Sequence, residues 1–199
     1  MGLEQVNTTT ISSNTTDVLI DGINTDDVYM LVASGITHTV DTAYLRYTVT
    51  KDVSGTTTKQ TTSNYDFAAQ VIRAHAIPQN YAQENRAEMY LQGSQPVGNA
   101  TGEDASCILY LYNFNNSSEF SYVTVQDIAY ESSHTSPAGN VGGFVYTVAE
   151  AHNGIAIGGD ATQISGGTFT LYKLLSEWYA NIGEIWQHKK NYKLKLMQK

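Results

Sequence analysis

Short segments in which apolar and polar residues alternate constrain the fold of this chain more than any other feature of its sequence. In residues 44–49, Leu45, Tyr47 and Val49 alternate with residues that would face the opposite side. A period of two residues is typical of a strand with one buried face. Turn pairs such as Asp21-Gly22 and Ser54-Gly55 separate segments of this kind. The pattern predicts a chain built from strands.

The segments with strand character are residues 18–20, 28–32, 44–49, 87–92, 107–114, 120–130, 144–148, 154–157 and 168–174. Residues 64–77 fit a strand or a helix, and we expect a strand followed by irregular chain. Residues 107–114 are apolar on both faces, which predicts a central strand buried on both sides. Residues 132–143 are expected to form a loop. About eight to ten short strands with turns between them predict an all-β, jelly-roll-like antiparallel sandwich, with an immunoglobulin-like sandwich as the alternative topology.

The predicted organisation has three parts. Residues 1–16 are rich in Thr, Ser and Asn and read as an extended lead-in or an edge strand, residues 17–174 form the sandwich, and residues 175–199 form a C-terminal helix and basic tail. The helix is indicated by apolar residues at helical spacing. We interpret it as an attachment element formed by Leu175, Trp178, Ile182, Ile185, Trp186, Lys189 and Lys190, with a helix packed on its own sandwich as the alternative.

The charge distribution separates the body from the tail. Charged residues are 15% of the chain and the net charge is −8. Residues 1–172 hold five Lys and Arg against 17 Asp and Glu, whereas residues 173–199 hold six against two. An acidic body is a poor partner for nucleic acid. No apolar run reaches membrane-spanning length and no signal peptide is apparent, so we expect no membrane association.

No catalytic signature or cofactor motif is present. The five histidines show no metal-ligand spacing, so the sequence predicts neither a metal site nor a cofactor, and chelators are expected to leave the melting temperature unchanged. The single cysteine, Cys107, lies in the most apolar segment and is predicted to be a buried thiol rather than a nucleophile. The acidic pairs Asp26-Asp27 and Glu103-Asp104 are interpreted as turn residues, with Ca²⁺ binding as the alternative. We expect no enzymatic activity.

Tyrosine side chains suggest one further function, the binding of a sugar. Tyr44, Tyr90 and Tyr130 are expected at the surface, where their rings could stack on sugars. Tyrosine is also an ordinary strand and interface residue. Binding to a host-surface glycan is therefore the alternative function.

The order of the strand segments resembles a family of proteins. In this chain a Thr/Ser-rich start is followed by Val18-Leu-Ile-Asp-Gly-Ile23 and Val28-Tyr-Met-Leu-Val32. Later come Ile108-Leu-Tyr-Leu-Tyr-Asn113 and Gly166-Gly-Thr-Phe-Thr-Leu-Tyr172. Over about residues 10–174 this resembles small jelly-roll-like structural proteins of tailed bacteriophages, particularly marine ones. In that family the closing strand typically runs Leu-Tyr-Gly, whereas Lys173 stands here in place of that glycine.

The resemblance implies a non-enzymatic component of a virion, assembled in the bacterial cytoplasm. It would be a capsid decoration protein, a head fibre or a tail component. The expected partners are other virion proteins of the capsid, neck or tail and copies of the chain itself, with a trimer as the first expectation. The alternative is a carbohydrate-binding receptor module of a tail fibre.

Overall fold

The computed structural model describes residues 2–90, 96–160 and 162–175, and within these ranges the regular structure is entirely β. The strands are β1 Gly2–Ile11, β2 Asp17–Asp21, β3 Tyr29–His38, β4 Leu45–Val53, β5 Thr56–Lys59, β6 Tyr65–Arg73, β7 Ala76–Arg86, β8 Met89–Tyr90, β9 Ala105–Tyr112, β10 Ser121–Glu131, β11 Ser136–Tyr146, β12 Gly154–Gly159 and β13 Ile164–Leu175. The prediction of an all-β protein is confirmed.

The strands form two antiparallel sheets. The larger sheet has eight strands in the order β1-β13-β3-β9-β10-β11-β6-β7, and the smaller has the order β2-β12-β4-β5, with β8 also paired to β4. Buried residues of both sheets, among them Leu31, Tyr47, Leu109, Ile155 and Phe169, belong to one apolar core. The arrangement is that of an antiparallel β-sandwich.

The N-terminal segment is part of the larger sheet. Of the two readings of its Thr-rich sequence, the structure shows the edge strand, because β1 pairs with β13 from Gly2 opposite Leu175 to Ile11 opposite Gly167. The other edge is β7, a mostly polar strand that pairs with β6 among the described residues. The sequence predicted irregular chain there, since Tyr81, which packs against the core, is not part of a regular alternation of apolar and polar residues.

The turn between β4 and β5 follows the sequence signal. Ser54 and Gly55 have φ angles of 55° and 83°, which is the left-handed pair that a two-residue hairpin needs. Asp52 Oδ1 accepts a hydrogen bond of 2.7 Å from the Gly55 N–H. The predicted turn is confirmed.

Two predictions about single strands are wrong. Strand β9 is central, but it buries only one face, because Ile108 is 38% exposed while Leu109 and Leu111 are fully buried. Strand β11 begins at Ser136, within the expected loop 132–143. Its glycines suit a sheet because neighbouring backbone lies close: a Cβ on Gly142 would be 2.3 Å from the Ala68 carbonyl oxygen.

Candidate functional site

The outer face of the larger sheet carries an uncharged surface. Two complete rows of facing residues cross all eight strands, and each of their members is exposed or half-buried. The first row is Gln5, Tyr172, Met30, Tyr110, Thr124, Gly143, Ala68 and Ala82. The second row is Thr8, Thr170, Val32, Ile108, Gln126, Val141, Gln70 and Asn80. None of these residues is ionisable at neutral pH.

Shorter rows extend this surface on both sides. Tyr112, Tyr122 and Val145 continue it across β9, β10 and β11, and Ile128, Gly139 and Ile72 continue it across β10, β11 and β6. Charge first appears within the last two strands of the sheet, at Asp66 in β6, which lies opposite Val145, and at Glu84 in β7. We call the two complete rows and these extensions the uncharged face.

The smaller sheet has the opposite character on its outer side. Arg46 Nη1 lies 2.6 Å from Glu88 Oε1, and Lys59 Nζ lies 2.7 Å from Asp17 Oδ2. Ionic side chains are strongly solvated, so a face that carries them is costly to cover with another protein. The molecule therefore has one charged broad face and one uncharged broad face.

A shallow apolar groove of about 500 Å³ crosses the uncharged face over β10, β11, β6 and β7. Its floor is formed where side chains are small, at Gly143, Ala68 and Ala82. Tyr122 and Val145 also line it, as do the carboxylates Asp66 and Glu84. Small residues in register on adjacent strands allow an incoming side chain to approach the backbone. The groove is thus suited to an apolar group from a partner surface.

The predicted tyrosine site is brought together in part. Tyr44 and Tyr90 pack edge to face with ring centroids 6.4 Å apart, and Tyr81 joins them around a depression of about 210 Å³ that Arg86 and Asp160 also line. The third predicted tyrosine, Tyr130, is not part of this depression, and its hydroxyl donates to the Thr135 carbonyl oxygen at 2.7 Å.

The predicted attachment element falls almost wholly outside the described residues. Trp178, Ile182, Ile185, Trp186, Lys189 and Lys190 lie there. Leu175 is described, and its assignment to a helix is wrong, because it is the last residue of β13 and faces Gly2 of β1. Pairing with β1 extends the strand beyond the point where the sequence pattern predicted its end.

Two histidines that are distant in the sequence meet around a buried glutamate. His75 lies in the turn between β6 and β7, and His134 lies in the turn between β10 and β11. Their rings stack with centroids 4.0 Å apart. Both present Nδ1 to Glu131, at 2.6 Å for His134 and 3.9 Å for His75. No spacing in the sequence indicates this cluster, because the two turns come together through the pairing of β11 with β6.

Ser121, His152 and Glu150 are linked in the order serine, histidine, carboxylate that a catalytic triad has, but the serine and the histidine are closed off from any substrate. His152 Nδ1 lies 2.8 Å from Ser121 Oγ, and His152 Nε2 lies 3.5 Å from Glu150 Oε1. Ser121 and His152 are both fully buried, and burial lowers the pKa of His152 to about 4. A nucleophile must reach its substrate, so this trio has a packing role.

The other sequence candidates have ordinary environments. Cys107 is buried as predicted, and burial raises the pKa of its thiol to about 12, which leaves it protonated and unreactive. Asp27 pairs with Lys173, with Oδ2 2.6 Å from Nζ, and this lysine lowers the pKa of the carboxyl group. Asp26 accepts a hydrogen bond from Asn116.

Comparison with known proteins assigns this chain to no family. No protein-family model matches the chain, and a search of curated proteins finds no match. Within the part of the chain described above, no helix is long and apolar enough to cross a membrane.

Proposed function

We propose that this chain is a non-enzymatic structural protein of a tailed bacteriophage, a jelly-roll-like component of the particle surface that packs against copies of itself. The observation that carries the proposal is the uncharged face. Together with the resemblance in the order of its strand segments, it favours a role in assembly at the capsid, neck or tail. Assembly would take place in the cytoplasm of the bacterial host.

The charge distribution favours a second copy as the occupant of the uncharged face. The chain carries a net charge of −8, so copies repel one another over most of their surfaces. Repulsion is weakest where both partners present uncharged residues. Face-to-face packing through Ile108, Gln126 and Val141 would bury no ionic group.

The size of the surface fits this role. Strands about 4.8 Å apart and rows about 7 Å apart give the uncharged face an area of roughly 700 Å². Each partner in a stable protein complex buries about 800 Å². Its tyrosines, among them Tyr110, Tyr112, Tyr122 and Tyr172, are of the type enriched at such interfaces.

The path of the chain supports the jelly-roll-like description. Consecutive strands β1, β2, β3 and β4 alternate between the larger and the smaller sheet, and β11, β12 and β13 do so again. Repeated crossing between two antiparallel sheets is a property of jelly rolls.

The attribution to a particle is tested on virions. Gradient-purified particles of the source phage are probed with an antibody raised against this chain. The protein should co-sediment with the particles in many copies and remain attached after washing at moderate salt. Its absence from purified particles, with abundant free protein in the lysate, would overturn the proposal.

Binding of a host-surface glycan is the second candidate, and the depression at Tyr44, Tyr81 and Tyr90 favours it. Aromatic rings beside Arg86 and Asp160 combine a stacking surface with groups that hydrogen-bond to hydroxyls. A glycan array comparing Tyr90→Ala with Tyr130→Ala is the test. Loss of a signal in the first variant only would support glycan binding, whereas a wild-type chain that binds no glycan would exclude it on that array.

A further inference from the structure

We propose that His75, Glu131 and His134 bind a divalent late transition-metal ion, with Zn²⁺ as the first candidate. The three side chains bring their potential ligand atoms within 4.8 Å of one another. This inference concerns the end of the larger sheet where two turns meet, and it does not depend on the proposed role in a virion.

The glutamate at the centre has an unused oxygen. Glu131 is 1% exposed, and its Oε2 atom has no hydrogen-bond partner among the residues that the structure describes. Its Oε1 atom accepts hydrogen bonds from Ser133 Oγ at 2.9 Å and from His134 Nδ1 at 2.6 Å. A buried carboxylate oxygen without a partner is costly, and a bound cation would satisfy it.

The donor set matches the chemistry of zinc. Two imidazole nitrogens and one carboxylate oxygen form a three-ligand set that leaves a fourth position for water. Calcium and magnesium prefer sets made of oxygen alone, so the two imidazoles disfavour them. Binding of one ion by both histidines would require the two stacked rings to turn away from their nearly parallel arrangement, because an ion lies close to the plane of each imidazole that binds it.

The ligand atoms are already close to the separations that zinc requires, so the main change is the turning of the two rings. Ligand atoms around tetrahedral zinc are about 3.3 Å apart, given bonds of about 2.0–2.1 Å. The separation of His134 Nδ1 from Glu131 Oε1 would lengthen from 2.6 Å, and that of His75 Nδ1 from Oε2 would shorten from 3.9 Å. His75 would also give up its 2.8 Å contact with Ser136 Oγ. Both histidines lie in exposed turns, where such adjustments are easiest.

Binding would connect two hairpins at one end of the larger sheet. His75 immediately precedes the edge strand β7, which pairs with β6 and packs against the core through Tyr81. Glu131 and His134 belong to the hairpin formed by β10 and β11. A bound ion would therefore stabilise the edge strand.

The experiment titrates the full chain with ZnCl₂ in a calorimeter and repeats thermal unfolding with zinc, with magnesium and with a chelator. We expect one zinc ion per chain. Zinc at 100 times its dissociation constant should raise the melting temperature by about 5–11 °C, and magnesium should not. Zinc should also slow hydrogen exchange in β7.

His75→Ala and His134→Ala should each weaken binding at least about tenfold. Glu119→Gln, which removes an exposed carboxylate in the turn before β10, is the control for non-specific binding and should leave zinc affinity unchanged. Both histidines are in exposed turns, so their variants should fold, and the melting curve without zinc checks this. Absence of zinc binding by the wild type, or equal binding by the double histidine variant, would show that the cluster is only a hydrogen-bonded contact and would overturn the proposal.

Discussion

At the scale of single residues, neighbours on one strand have different roles. Leu109 and Ile108 both lie in β9, but Leu109 is fully buried in the core whereas Ile108 is 38% exposed on the uncharged face. Alternation along the strand assigns them to opposite sides of the sheet. The energetic cost of removing each side chain should therefore differ strongly.

Leu109→Ala is expected to lower the free energy of unfolding by about 2–5 kcal/mol, because it removes buried methyl groups and leaves a cavity. Ile108→Ala should cost less than about 1 kcal/mol in the isolated chain. Urea unfolding of both variants at low protein concentration measures the difference. Equal losses would contradict the placement of the two faces.

Buried ionisable groups give the stability a specific pH dependence. Burial lowers the pKa of His38 and of His152 from 6.5 to about 4. Between these values the unfolded chain binds protons that the folded chain does not, so stability falls as the pH drops from 6.5 to 4. The loss in the free energy of unfolding is up to about 3 kcal/mol per histidine.

Asp127 has the opposite effect on stability. Burial raises the pKa of Asp127 from 3.8 to about 7, so its contribution to the free energy of unfolding falls as the pH rises.

Asp127→Asn should therefore steepen the loss of stability on acidification, because it removes the opposing contribution. Urea midpoints at pH 4.5, 5.5 and 6.5 for the wild type and the variant measure this. A constant offset between the two curves at all three values would show that Asp127 does not hold a proton in the folded chain.

At the scale of elements, alternation predicted the strands that bury one face. Strands β2, β4 and β10 lie where the pattern placed them. Strand β7 was missed because its mostly polar sequence shows no regular alternation around Tyr81, its residue that packs against the core, and the start of β11 was missed because its Ala and Gly residues read as a loop. The His75–Glu131–His134 cluster could not be predicted, since it depends on which hairpins become neighbours in the sheet.

Removal of residues 176–199 tests the predicted attachment element. A chain ending at Leu175 keeps every strand pair described above, so it should unfold cooperatively with a melting temperature close to that of the full chain. Incorporation into particles should be lost if the segment is an attachment element. Normal incorporation of a folded, truncated chain would contradict that interpretation, and failure to fold would show that the segment belongs to the body.

At the scale of the whole molecule, the two broad faces differ in what they can contact. The smaller sheet presents ion pairs such as Lys59 with Asp17, and the larger sheet presents the uncharged face. The core between the sheets accounts for folding, whereas it does not require two complete rows across the outer side of the eight strands to be free of charge. The proposed self-association would account for that second property.

Sedimentation of the purified chain over a range of concentrations tests self-association most directly. Ile108→Lys places a charge at the centre of the uncharged face, and Leu19→Lys places one on the outer side of the smaller sheet, where Leu19 is similarly exposed at 42%. The account predicts that the wild type and Leu19→Lys form the same oligomer and that Ile108→Lys sediments as a folded monomer. A wild type that stays monomeric at all concentrations, or an Ile108→Lys variant that associates as the wild type does, would contradict it.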